Sequence, residues 1–266
     1  MNHLFRELAP ITDDTWSTLD DEARTRLAPA LGARALVDFA GPLGWTHSAT
    51  NIGRVTRVVD TPLEAVIART RVVLPLTEVR AQFTLSREEL DSDARGAVDT
   101  DLSPLDQAAA RIATAENSAV FNGWDAVGIA GIIPTSPHEP LTRDDDPTRL
   151  AQSVAAAVTV LDRAGIGGPY GLALDTPGWA GVLGGSDAGG SPLERHLREI
   201  LDGPIAWTPG IDGAVVVSMR GGDFLLETGQ DISLGYAAHT AEAVTLYLEE
   251  SFSFRIATPE AAVAIR

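Results

Sequence analysis

The sequence predicts a mixed α+β protein in which a compact lobe of helices and strands is inserted into a more extended scaffold. Three observations carry that expectation. Alternating apolar and polar residues over 51–76 read as one long β-hairpin. The strongest helical periodicity lies at 105–121, and helices interspersed with strands fill 129–222 before the chain closes in strands. A length of 266 residues suits one large domain or two small ones and can bury its own core. With 44% hydrophobic residues, general disorder is excluded.

The first element is a helix over 13–31, where Trp16, Leu19, Ala23, Leu27 and Leu31 recur at three- and four-residue steps as one apolar stripe. Asp13 and Asp14 suit its first turn, where the helix dipole favours negative charge, and Pro29 distorts or ends it late. In the hairpin, Asp60-Thr61-Pro62 is the turn signal. Its return arm sets Val66, Ala68, Thr70, Val72, Leu74 and Leu76 on alternate positions, with Arg69 and Arg71 on the other face. A two-stranded hairpin is marginal alone in water, so this arm lies on its own domain or on a neighbouring subunit.

Ser86-Arg-Glu-Glu89 is a capping-box pattern for a short helix ending at Gly96. Ser103-Pro104 supplies an N-cap and a first-turn proline for the helix 105–121, whose buried face is marked by Leu105, Ala108, Ile112, Ala115 and Ala119. Beyond the Gly- and Pro-rich stretch 123–140, helices are expected near 150–163, 178–183 and 192–201, with strands at 170–175, 205–208 and 214–219. The chain closes with strands at 225–228, 232–237 and 244–256.

The composition and motifs exclude several classes. There is no cysteine, hence no disulfide framework, zinc–thiolate site or thiol nucleophile. Thirty-seven acidic against twenty basic residues give a net charge of −17, which disfavours nucleic-acid binding and suits solubility. No secretory signal or membrane span is visible, so the chain reads as cytosolic. Gly184-Gly-Ser-Asp-Ala-Gly-Gly190 fails as a nucleophile elbow because Ala188 takes the last glycine position. Gly165-Ile-Gly-Gly-Pro-Tyr-Gly171 fails as a dinucleotide loop: Tyr170 replaces the third glycine and the run precedes a strand. The five histidines show no metal-ligand spacing, and Asp144-Asp145-Asp146 lacks the spaced ligands of a calcium loop. No catalytic residue, metal ligand or cofactor is nominated.

The run Arg220-Gly-Gly-Asp-Phe-Leu-Leu-Glu-Thr-Gly-Gln-Asp-Ile-Ser-Leu-Gly-Tyr236 is a punctuated strand–turn–strand segment without catalytic groups. With it, in chain order, stand Leu8-Ala-Pro-Ile-Thr12 and Trp16, Arg34 with Val37-Asp38 and Gly41-Pro42, Phe83-Thr-Leu-Ser86, Gly168-Pro-Tyr170 and Glu250-Ser-Phe-Ser-Phe254. Together they resemble the encapsulins, bacterial shell proteins that share the HK97 fold of tailed-phage major capsid proteins. The resemblance runs essentially end to end.

It implies an HK97-like α+β fold with a peripheral domain (1–45, 77–128 and 223–266), an extended loop (46–76) and an axial domain (129–222). It implies a non-enzymatic, cytoplasmic shell that self-assembles with icosahedral symmetry from on the order of 60 copies. Its partners are itself and a cargo protein such as a dye-decolorizing peroxidase or a ferritin-like protein, with no nucleic acid and no membrane. Cargo tails are expected in a groove between Leu27, Leu31, Arg34 and Asp38 on one side and Ile232, Leu234 and Tyr236 on the other. Gly184, Gly185, Ser186, Asp187, Ala188, Gly189 and Gly190 fall where the family places its five-fold pore loop. The alternatives are a phage-type capsid protein, against which the short acidic chain speaks, a hydrolase or protease, which lacks a nucleophile motif, and a monomeric binding module, which a native mass would reveal.

Overall fold

The computed structural model describes residues 3–63, 65–143, 149–186, 190 and 192–266. Thr12 is extended, and its hydroxyl accepts the Thr15 amide at 3.2 Å, which starts helix α1 (Asp13–Leu27). The helix buries Trp16, Leu19, Ala23 and Leu27 as its periodicity requires. It stops a turn earlier than expected: Pro29 has no amide hydrogen to continue the helical ladder, so although Ala28 keeps helical backbone the helix ends and Leu31 lies in the following turn.

After β1 (Asp38–Ala40), strands β2 (Ala49–Val58) and β3 (Ala68–Pro75) form the expected hairpin, antiparallel from Ala49 opposite Pro75 to Val58 opposite Ala68. Its outer half stands clear of the rest of the described chain, with Val59 94%, Ile67 69% and Leu63 67% exposed. After Leu76 comes β4 (Thr77–Ser86), a strand the sequence reading did not assign. Ala81, Phe83 and Leu85 are buried along it, and Glu78, Arg80, Gln82 and Thr84 face outward.

Ser86 caps α2 (Arg87–Ala94) by accepting the Glu88 amide, but Glu89 accepts the Asp101 amide instead of closing a capping box. Helix α3 (Ser103–Asn122) begins at Ser103 itself, whose amide is held by Asp101 Oδ1 at 3.0 Å. Its buried face includes Glu116 and Asn117, while Ala115 is only half-buried. The lobe then supplies α4 (Ile132–Thr135), α5 (Leu150–Arg163), β5 (Tyr170–Leu174), α6 (Thr176–Gly184), α7 (Leu193–Leu201), β6 (Ile205–Trp207) and β7 (Ala214–Ser218). β8 (Phe224–Thr228), β9 (Ser233–His239), β10 (Ala243–Ile256) and β11 (Ala262–Ile265) close the chain.

Two larger sheets result. In the first, β10 runs antiparallel to β4 along one edge and to β9 and then β8 along the other, and β1 pairs parallel with β8. In the second, of order β11-β7-β5-β6, every residue of β5, β7 and β11 is buried, as a sheet covered on both faces requires. One hydrophobic core lies between α1, α3 and the β4/β9/β10 face; a larger one fills the lobe and reaches Phe252 and Phe254.

The two cores meet along a polar seam. On α3, Ile112 and Ala113 belong to the first core and Ala119 and Val120 to the second, with Glu116 and Asn117 between them. On β10 the inward alternation runs Leu246, Leu248, Glu250, Phe252 and Phe254, and Glu250 marks the same crossing. Asn117 closes the seam by accepting the Ala33 amide and donating to the Ala30 and Pro209 carbonyls at 2.8–3.0 Å.

Candidate functional site

Above this seam an open groove of about 390 Å³ lies between α1, the turn that follows it and the start of β9. One wall is Ala23, Leu27 and Leu31; the other is Ile232 and Leu234, with Leu248 of β10 between them. Leu27 and Leu234 are nearly covered by the core beneath, whereas Leu31 and Ile232 are only partly buried and offer apolar surface to an occupant. At one end the chain's first described residues close in: Leu4 lines the groove and its carbonyl accepts the Tyr236 amide at 2.9 Å. Arg6 is anchored there by a two-pronged pair with Asp20 and lies 4.1 Å over the Trp16 ring.

At the other end stands Arg34. Its guanidinium donates to both carboxylate oxygens of Glu116, to Glu250 Oε2 at 3.0 Å and to Asp231 Oδ1 at 2.7 Å. Glu116 and Glu250 are fully buried, and Asp231 sits at the rim. One cation therefore faces three carboxylates. Burial first, and then the charge of Glu116, push the Glu250 carboxyl well above the ordinary range and favour its neutral form. Its Oε1 has no acceptor or donor within reach. With Nε, Nη1 and Nη2 each bonded to these carboxylates, Arg34 frames the groove floor and is not a free cation awaiting a ligand.

The structure thus brings Leu27, Leu31, Arg34, Ile232 and Leu234 into one groove. Asp38 is not in it. Pairing with β8 carries β1 away, and Asp38 Oδ2 accepts the Gly222 amide at 2.6 Å. Tyr236 is also outside the lining, walled off by Leu4, with its hydroxyl bonded to His239 Nδ1 at 2.5 Å. Sequence reasoning missed Leu4, Arg6, Asp20 and Asp231, all on the lining. Only Asp231, next to Ile232, carried a signal; the others depend on how the N-terminal segment folds back. It also missed Glu116 and Glu250, although a glutamate one turn after Ile112 on an apolar face was a legible irregularity.

The whole chain was then compared with known families. The family model described as an encapsulating protein for peroxidase matches residues 1–253. The chain belongs to the encapsulin family. Relatives named type 1 encapsulin shell protein are 44% identical in Rhodospirillum rubrum, over all of this chain and 97% of the relative, and 39% identical in Mycobacterium tuberculosis, over all of this chain and 99% of the relative. The fold is that of HK97-like capsids. A virus-like particle from Pyrococcus furiosus superposes with a TM-score of 0.64 at 20% identity, covering 96% of this chain and 98% of that one. A structure from Mycobacterium phage Bobi gives 0.54 at 16% identity, covering 89% of each chain.

As a member of a family of named shell proteins, the chain is not an enzyme. Among the described residues no group of three or more His, Asp or Glu could hold a metal ion, and no helix is long and apolar enough to cross a membrane. Of the residues that resemble an encapsulin pore loop, Gly184 ends α6, Gly185 follows it, and Ser186 bridges to Pro192; Gly190 is also described. Asp187, Ala188 and Gly189 lie outside the described residues.

Proposed function

We propose that this encapsulin chain assembles into a closed icosahedral shell of on the order of 60 copies and captures cargo enzymes by short C-terminal tails in the α1/β9 groove. The observation that carries the reading is the convergence of Leu27, Leu31, Ile232 and Leu234, distant in sequence, on one open apolar trough. Two or three apolar tail residues buried there supply about 3–6 kcal/mol gross. Ordering an extended tail offsets much of that, so single tails bind weakly and an oligomeric cargo holds by avidity.

The cargo class follows from the family's description, a peroxidase, with a ferritin-like protein as the second candidate. The segment 184–190 is assigned to the rim of the five-fold pore, where symmetry would repeat the Asp187 carboxylate as a cation-favouring ring. The division into a peripheral domain, an extended loop at 46–76 and an axial domain at 129–222 belongs to the same reading. Two hydrophobic cores and an arm whose outer half is exposed support it, although the ends of α3 and β10 and strand β11 also enter the lobe core.

The test is particle formation and capture in one experiment. The chain is expressed with a fluorescent protein bearing the C-terminal tail of a dye-decolorizing peroxidase, then analysed by size exclusion and negative stain. Hollow megadalton particles carrying the fluorophore are expected. Leu31→Asp combined with Ile232→Asp should leave the particles intact and empty them. A chain that stays near its 28.0 kDa monomer mass would sink the shell reading. Particles that load the reporter equally with both substitutions would sink the groove assignment alone.

A further inference from the structure

The hairpin arm is charged in a way that its own chain does not answer. In the β2/β3 register Arg57 stands directly opposite Arg69, and Arg71 stands opposite Val55 on the same face. All four are exposed, and among the described residues none of Arg54, Arg57, Arg69 and Arg71 has a carboxylate partner. Like charges directly opposed across a strand pair repel, and a two-stranded ribbon has little stability with which to absorb that cost. The arm continues past this basic face into exposed Val59, Leu63 and Ile67. A basic face and an apolar tip on one projecting element call for a surface that is acidic with an apolar spot.

The same chain carries such a surface. Helix α2 and the loop after it hold Glu88, Asp91, Asp93 and Asp99, none ion-paired among the described residues, against only Arg87 and Arg95 nearby in sequence. Val98 stands among them with its side chain entirely exposed (101%). The main intrachain contacts of the arm lie at its base, where β2 and β3 meet β10 and Thr50 bonds Glu227 of β8 and Ser253 of β10. The acidic segment and the arm therefore leave each other unanswered within one subunit.

We propose that the Arg57/Arg69/Arg71 face of one copy's arm docks on the 88–99 segment of a second copy, with Val98 meeting the apolar end of the arm. This rests on the shell reading and names one of its subunit contacts. Charge complementarity decides the occupant: a chain of net charge −17 has few basic patches, and this arm is one that no ion pair among the described residues neutralises.

A charge swap tests it. The variant Arg57→Glu/Arg69→Glu/Arg71→Glu, the variant Glu88→Arg/Asp91→Arg/Asp99→Arg and the combination of both are compared with the unsubstituted chain by size exclusion and negative stain. Thermal melting followed by circular dichroism confirms that each is folded, and a milder pair, Arg69→Glu with Asp91→Arg, is run alongside. Loss of the particle peak in each one-sided variant, with its return in the combination, is the expected result. One-sided variants that assemble at the level of the unsubstituted chain would overturn the contact. So would a folded combination that does not recover particles. If the unsubstituted chain forms no particles at all, the failure belongs to the shell reading and not to this contact.

Discussion

Replacing Arg34 by Met tests whether this arginine is a structural clamp or a cargo ligand. Methionine keeps most of the aliphatic stem and removes the charge and five hydrogen bonds. Glu116 and Glu250 are fully buried, so the loss leaves carboxylates in the seam without their cation. Breaking a buried pair from one side costs about 3–5 kcal/mol. Asp231 is 40% exposed, and its share falls within the ~1 kcal/mol of a rim pair. Burial and Glu116 both favour the neutral form of Glu250, which makes Glu116 the main uncompensated charge and sets the expected loss at the low end of that range, ~3 kcal/mol. That is a large fraction of the ~5–15 kcal/mol that holds a domain folded. The assay is urea unfolding followed by tryptophan fluorescence, with both proteins in the same assembly state. Arg34→Met/Glu116→Gln should recover most of the loss, since it removes the orphaned charge along with its partner. A single variant within ~1 kcal/mol of the parent, or a double variant no better than the single, would refute the account.

Three further predictions concern single groups. The Glu250 carboxyl, raised by burial and then by Glu116, contributes stability that is fully present below the ordinary carboxylate range and is lost as pH rises through its folded value. Urea midpoints should therefore fall as pH rises above the ordinary carboxylate range, and Glu250→Gln should flatten that fall. The single Tyr170 hydroxyl proton faces two acceptors, Asp162 Oδ1 at 2.5 Å and the Ile166 carbonyl at 2.7 Å, and burial followed by the Asp162 bond pushes the hydroxyl up to about 12. Tyr170→Phe should cost about 1–2 kcal/mol in unfolding experiments and remove the most alkaline tyrosine from an absorbance titration. At Gly235 a Cβ would land on the Tyr247 ring, so Gly235→Ala should cost about 1–3 kcal/mol by overpacking and loosen β9, read as faster amide exchange there.

Periodicity located most of the scaffold because most elements bury one continuous face. Helices α1, α3, α5 and α7 show it, the hairpin shows alternation in sequence though its outer half is exposed, and β5 and β7, buried on both faces, read as short apolar runs. The misses have physical reasons. The alternation of β4 from Val79 to Leu85 is plain, but it begins one residue after β3 ends and merges with the hairpin signal. β1 and β11 span three and four residues, too short for any period to register. The groove is a tertiary object: its walls lie some 200 residues apart, and only the likeness to a family brought them together. Asp38 and Tyr236 were expected in it from the same likeness. The pairing of β1 with β8 and the position of Leu4 exclude them, and neither is a local property.

Strand β10 is where these features become one device. It pairs with β4, which continues directly from the arm, with β9, which walls the groove, and with β8, whose Phe224 and Leu226 enter the lobe core. Successive residues on it face opposite ways: Glu249, itself buried, meets Arg80 on one face, and Glu250 meets Arg34 in the seam on the other. A slip of two residues would keep the apolar alternation but set Leu248 or Phe252 opposite Arg34 and Tyr247 or Ser251 opposite Arg80. The adjacent glutamates thus fix the register that the apolar positions alone would hold less sharply, because Leu246, Leu248, Phe252 and Phe254 report only odd against even. A costly buried carboxyl under the groove is then intelligible as the element that keeps arm, groove wall and lobe in one alignment, at the point where the two cores meet.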